Sequence, residues 1–183
     1  MEDISLHILD IAENSINADA TFIQINIIEK TDEDLFSVEI RDNGKGIPED
    51  LIKKVGDPFY TTRTTRKVGL GLSLFAQAAR DTGGNLEIQS VDGKGTNVTA
   101  VFRPSHIDMK PLGKISDTLM ALIAGWSDID FSFSYEKNGV YFSFDTRSLR
   151  SDLEGAPLNT PSVLVLIRDY IEGSLADISN NVV

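Results

Sequence analysis

The sequence of 183 residues contains no cysteine and only two histidines. The first absence excludes disulfides, thiolate zinc sites and cysteine nucleophiles, and two isolated histidines do not make a histidine-rich metal centre. Positive charge is also scarce: 17 Lys and Arg stand against 28 Asp and Glu, a formal net charge of -11 with a pI near 4.5. A chain of that sign does not coat a nucleic acid through a broad basic surface, so no nucleic-acid partner is expected. No apolar run approaches the roughly 18 residues that cross a bilayer, and the acidic start Met1-Glu2-Asp3 lacks the basic opening of a secretory signal. No membrane association and a cytoplasmic location are therefore expected. What remains, with 41% hydrophobic and 25% charged residues, is the composition of an ordinary folded domain.

Against this acidic background, Asp57 to Leu74 reads DPFYTTRTTRKVGLGLSL, with three basic residues and no acid between Phe59 and Leu74. Gly69 and Gly71 then open a helix. Free backbone N–H groups and the positive end of the helix dipole at such a point seat phosphate oxygens.

Hydrophobic periodicity places a helix over Ile4 to Asn17, with Ile4, Ile8, Ile11, Ala12 and Ser15 on one side. His7, Asp10, Asn14 and Asn17, with Glu13 beside them, form a stripe of carboxylates and amides on the other. Alternation predicts strands over Thr21 to Glu29 and Leu35 to Arg41, joined by a polar hairpin, and puts Asp42 on the same face as the apolar Ile40. Asp42-Asn43-Gly44-Lys45-Gly46-Ile47-Pro48 follows, then a short helix to about Val55. The helix after Gly71 turns Leu72, Phe75, Ala76 and Ala79 inward and stops at Gly83-Gly84. Strands over Leu86 to Val91 and Asn97 to Phe102 close the first part. A composition shift between Pro104 and Pro111 divides a domain over 1–104 from a small α+β region over 105–183. That region is expected to hold a helix over Ile115 to Gly125, a hairpin turning at Asn138-Gly139, and a last helix beginning at Thr160-Pro161.

Asn14 in ILDIAENSINADAT, Asp42-Asn43-Gly44-Lys45-Gly46, Asp57-Pro58-Phe59-Tyr60-Thr61-Thr62, Gly69-Leu70-Gly71-Leu72-Ser73 and Gly93-Lys94-Gly95-Thr96 resemble, in order, the boxes of the GHKL ATPases. DPFYTT through GKGT is most similar to the ATP-binding domain of sensor histidine kinases. The resemblance covers about residues 4 to 103 and implies the Bergerat fold: α+β, a mixed sheet with helices on one face in two layers, the C-terminal region being an appendage. It also implies ATP as ligand and Mg²⁺ as its companion. Asp42 would accept from the exocyclic amine of adenine, favouring ATP over GTP. Gly44 and Gly46 would pass close to the base, and Ile47 would supply an apolar wall. Asn14 would offer its amide oxygen to Mg²⁺, with Asn17 near it. Phe59, Thr61, Thr62, Arg63, Arg66 and Lys67 would belong to the lid, and the amides of Gly69, Leu70, Gly71 and Leu72 would cradle the phosphates. Thr96 would reach adenine through water, or stand as an ordinary strand threonine.

Two departures limit the analogy. Where the hydrolysing branch has a glutamate four residues before the asparagine, this chain has Asp10, one methylene shorter; it is a candidate for positioning water or the metal shell. The resemblance also starts within the first residues of this sequence, so the helical hairpin that carries a histidine kinase's phosphoacceptor is not expected in it. His106 has acceptor-like spacing to Pro111, but a hairpin rather than a long second helix follows, which favours a linker contact. Three functions stay open: a histidine-kinase-like protein acting on a protein partner in trans, a non-catalytic ATP/ADP switch resembling an anti-sigma factor, and a weak ATPase. A homodimer is compatible with each.

Overall fold

In the computed structural model, residues 3–47, 70–153 and 157–181 are described. The short helix expected after Pro48, the aromatic turn and the lid lie outside them. Helix α1 spans Ile4–Asn17; Asp3 caps it by accepting from the Leu6 N–H at 3.0 Å and the Ser5 hydroxyl at 2.8 Å. Strands β1 (Phe22–Lys30) and β2 (Leu35–Asp42) form the expected hairpin. Helix α2 (Leu70–Asp81) leads to β3 (Asn85–Val91) and β4 (Gly95–Phe102). Helix α3 (Ile115–Gly125), strands β5 (Asp130–Lys137) and β6 (Val140–Asp145), and helices α4 (Thr146–Asp152) and α5 (Pro161–Asn181) complete the order.

The strands make one six-stranded sheet in the order β3-β4-β2-β1-β5-β6. All neighbours are antiparallel except β1 and β5, which run parallel. The sheet is therefore mixed, and the α+β class with helices over its buried face is the one expected. Register explains the core: Ile88, Val98, Ile40, Ile25, Phe133 and Phe144 stand side by side across all six strands. All but the half-buried Ile88 are buried, beneath Ile4, Ile8, Ile11 and Ala12 of α1 and Leu72, Phe75 and Ala79 of α2.

The C-terminal hairpin does not build a sheet of its own. Its aromatic residues Phe131, Phe133 and Tyr135 are buried in register with Ile23, Ile25 and Ile27 of β1. The chain leaves β4 after Phe102, and α3 lies on the crossover to β5 that a parallel pairing needs. Backbone bonds from the Ile4 and Ser5 N–H groups to Pro111 and Leu112, and one from the Thr118 hydroxyl to the Ser5 carbonyl, tie the second segment to α1.

His7 departs from the polar stripe to which periodicity assigns it. It is 1% exposed and stacks on Phe75 with ring centroids 5.1 Å apart, and neither ring nitrogen has a hydrogen-bond partner among the described residues. Burial, reinforced by Lys110, lowers its pKa from 6.5 to about 4. The unfolded chain then takes up this proton first, so stability is intact above pH 6.5 and falls as pH drops from there towards 4. Scaled from the shift, this is up to about 3 kcal/mol. Urea midpoints measured between pH 7 and 4.5 should fall less steeply in His7→Phe than in the wild type; parallel curves would refute the assignment.

Candidate functional site

Strand β2 ends by turning a carboxylate into the apolar layer. Asp42 lies opposite Ile23, on the buried face shared with Ile40, and is only 9% exposed. Burying an acid needs hydrogen bonds to offset lost hydration. The Ser15 hydroxyl of α1 donates to Oδ2 at 2.6 Å, while the Gly44 and Thr96 N–H groups donate to Oδ1 at 2.9 and 3.2 Å. One oxygen is thus bound to two backbone donors, and the other keeps accepting capacity.

The loop after Asp42 is held by groups that point away from the carboxylate. The Asn43 side chain accepts from the N–H groups of Thr21 and Phe22, both at 2.9 Å, and donates to the Thr21 hydroxyl, anchoring the loop to the start of β1. Lys45 pairs with Asp19 at 2.9 Å. The Ser90 hydroxyl accepts from the Ile47 N–H at 2.8 Å and meets the Thr96 hydroxyl at 2.9 Å, joining the loop to β3 and β4. Gly46 and Gly95 have φ of +74° and +107°. A Cβ at either would also collide with backbone, that of Val91 and of Asp42 respectively, so glycine is required at both.

Beside this loop is a cavity of about 290 Å³. Of the residues expected at the site, Asn14, Asn17, Asp42, Gly46, Ile47, Leu72 and Thr96 line it together. Gly44 contributes its N–H to Asp42 from just behind. Gly71 lies in the first turn of α2, where a Cβ would stand 3.1 Å from Oδ2 of Asp10. Asp10 is therefore under the start of α2 and is not among the cavity-lining residues. Leu70 begins α2. Phe59, Thr61, Thr62, Arg63, Arg66, Lys67 and Gly69 lie outside the described residues.

The structure adds Ile11, Ser15, Ala18, Lys45, Asp92 and Val98 to the wall. Ser15 matters most, because it fixes the orientation of Asp42. Periodicity turns it inward as a core residue, and only its distance from Asp42 reveals the hydrogen bond. Among the described residues no group of three or more His, Asp or Glu side chains could hold a metal by itself. The donors present, Asn14 first, fit a cation whose remaining ligands come from phosphate and water. His106 is 41% exposed, in a turn rather than a helix, 3.6 Å from Asp108.

The chain carries a match to the model of "Histidine kinase-, DNA gyrase B-, and HSP90-like ATPase" over residues 2–106. It is 38% identical over 94 residues to the sensor kinase CckA of Brucella abortus, a stretch covering 51% of this chain and 10% of that protein. It is also 38% identical over 69 residues to sporulation kinase E of Bacillus subtilis, covering 38% and 9% respectively. The chain thus spans a small fraction of the length of these relatives. Among solved structures it is similar to the Aquifex aeolicus MutL ATPase domain complexed with ADP, with a TM-score of 0.50, 16% identity, and coverage of 85% of this chain and 68% of that one. A second similarity is to the N-terminal domain of a DNA repair protein, with a TM-score of 0.54, 21% identity and coverage of 85% and 58%. At these identities the likeness is one of fold, and its extent carries it beyond residue 106.

Proposed function

The chain belongs to the family of histidine kinase-, DNA gyrase B- and HSP90-like ATPases, the match covering more than half its length, and from that premise we propose that it binds Mg-ATP and phosphorylates or regulates a separate protein in trans. The observation that carries this reading is the buried Asp42 carboxylate at the cavity wall, one oxygen held by two backbone donors and the other braced by Ser15. Such an acceptor suits the exocyclic amine of adenine, and Ile11, Ile47, Leu72 and Val98 supply apolar surface for a purine ring. The amides in the first turn of α2 would receive phosphate oxygens. The Asn14 amide oxygen would hold magnesium, which would supply positive charge to offset that of the phosphates. Phosphoryl transfer depends mainly on positioning and electrostatics, so a domain of this kind can act on a partner that brings its own acceptor.

Weak hydrolysis is the second reading, favoured by Asp10. Its carboxylate lies against Gly71, at the helix start that would hold the phosphates, where it can orient a water. Incubation with ATP labelled at the γ-phosphate separates the readings. Label on a partner marks a kinase, free phosphate alone an ATPase, and neither a nucleotide-controlled switch.

Binding itself is tested by calorimetry with Mg²⁺ and with EDTA. The wild type should bind ATP more tightly with the metal, whereas Asn14→Ala should show similar affinities in both conditions. A full metal dependence in Asn14→Ala would move the ligand elsewhere.

A further inference from the structure

Among the described residues strand β6 is the last in the sheet, and no described strand pairs with its outer edge. No other backbone hydrogen bond among the described residues reaches that edge. Beside it, α4 and α5 frame a groove of about 500 Å³. Phe144 of β6, Leu149 and Leu153 of α4, and Leu166 and Tyr170 of α5 give it apolar walls. Leu166 and Tyr170 sit one helical turn apart and are 68% and 57% exposed, beside the buried stripe of Val163, Ile167 and Ile171 that holds α5 to the sheet. A helix that exposes a second apolar strip beside its core face presents a surface that association can cover.

Charge specifies what covers it. Among the described residues the groove is lined by the carboxylates of Asp145 and Asp152 and by no lysine or arginine. Asp145 is paired with Arg147 at 2.7 Å, and Arg150 is committed to Asp130 at 2.8 Å. Asp152 has no ion pair among the described residues. A second copy of this chain would bring the same acids and the same net charge of -11 to the contact, whereas a basic segment meets them with opposite sign.

We propose that the edge of β6 and the groove between α4 and α5 dock an extended segment of a partner protein, in which apolar side chains alternate with lysine or arginine. Main-chain bonds to the free edge supply affinity, alternate apolar side chains enter the groove, and the basic ones face Asp152. Two strands, β1 and β5, separate β6 from the Asp42 strand. At roughly 4.8 Å per strand step, the surface is about 14 Å from the nucleotide cavity across the sheet. It does not rest on the nucleotide reading.

The test is fluorescence anisotropy with the full chain and no nucleotide. The probe is a fluorescein-labelled decapeptide alternating leucine with lysine, alongside a peptide of the same composition with its leucines at helical spacing. The alternating peptide should bind the wild type, and both Leu166→Glu and Asp152→Lys should weaken it at least tenfold. Leu166→Glu makes the chain more acidic, so attraction to net charge alone would tighten binding in that variant. Absent binding, undiminished binding to Leu166→Glu, or stronger binding of the helix-spaced peptide would overturn the proposal. So would a wild-type dimer in analytical ultracentrifugation that Leu166→Glu dissociates, which would give the face to a second copy.

Discussion

Asp42→Asn is expected to abolish measurable ATP binding in calorimetry while the far-UV spectrum and melting temperature stay close to wild type. The hydrogen-bond network decides how the new amide sits. The Gly44 and Thr96 N–H groups both donate to one oxygen of Asp42 and require an acceptor there. The amide oxygen must take that position, and the NH₂ group falls where Oδ2 now accepts from Ser15. The Ser15 hydroxyl can rotate to accept instead of donating, so the fold loses little. The ligand fares worse. Adenine's exocyclic amine would meet a donor where it now finds an acceptor, so a strong hydrogen bond is lost and two donors face each other. The combined cost is on the order of 3 kcal/mol or more, a hundredfold or more in affinity. A purine with oxygen at that ring position complements the new NH₂. Asp42→Asn should therefore bind inosine triphosphate more tightly than ATP, inverting the wild-type preference. Unchanged ATP affinity would remove Asp42 from the base-reading role and the cavity from the function proposed for it.

Local pattern made most of this site legible in the sequence. Alternation along β2 puts Asp42 on the buried face because its parity matches Ile40, and the glycines at 44, 46 and 95 mark backbone that passes too close to its neighbours for a side chain. Helical spacing puts Asn14 on the polar stripe of α1, and the resemblance to the GHKL boxes, not the spacing, joins it to Asp42. What local pattern does not contain is contact between distant elements. Ser15 is a core position by period and a hydrogen-bond donor only because α1 crosses the end of β2. His7 has the period of a polar stripe, yet α2 lays Phe75 over it. The largest such omission is the parallel pairing of β1 with β5. About a hundred residues separate the two strands, and no turn or short-range period signals their register. Alternation marks the aromatics of β5 but not the isoleucines they stand beside.

That pairing can be broken from the C-terminal side. Phe133 is 1% exposed in β5, flanked in register by Ile25 of β1 and Phe144 of β6, with its ring 6.2 Å from that of Phe142. Phe133→Ala should cost about 3 to 5 kcal/mol, because the cavity it leaves is walled by strands that cannot close over it. Against a typical domain stability of about 5 to 15 kcal/mol, that is a large fraction of the whole. How the loss is distributed tests whether residues 105–183 share one cooperative unit with the ATP-binding segment. The single tryptophan, Trp126, follows α3 in the C-terminal segment and reports on it by fluorescence. Far-UV circular dichroism reports on both segments, and ATP binding reports on the first. If the sheet unfolds as one body, the two optical transitions in urea shift together to lower concentration in Phe133→Ala. ATP affinity then falls only by the fraction of chain unfolded under the assay conditions. If the segments unfold separately, Trp126 emission changes first while ATP binding and much of the ellipticity persist. The continuous row from Ile88 to Phe144 favours the first result, since removing β5 would strip the outer edge of β1 and uncover Ile23, Ile25 and Ile27 at the centre of the core.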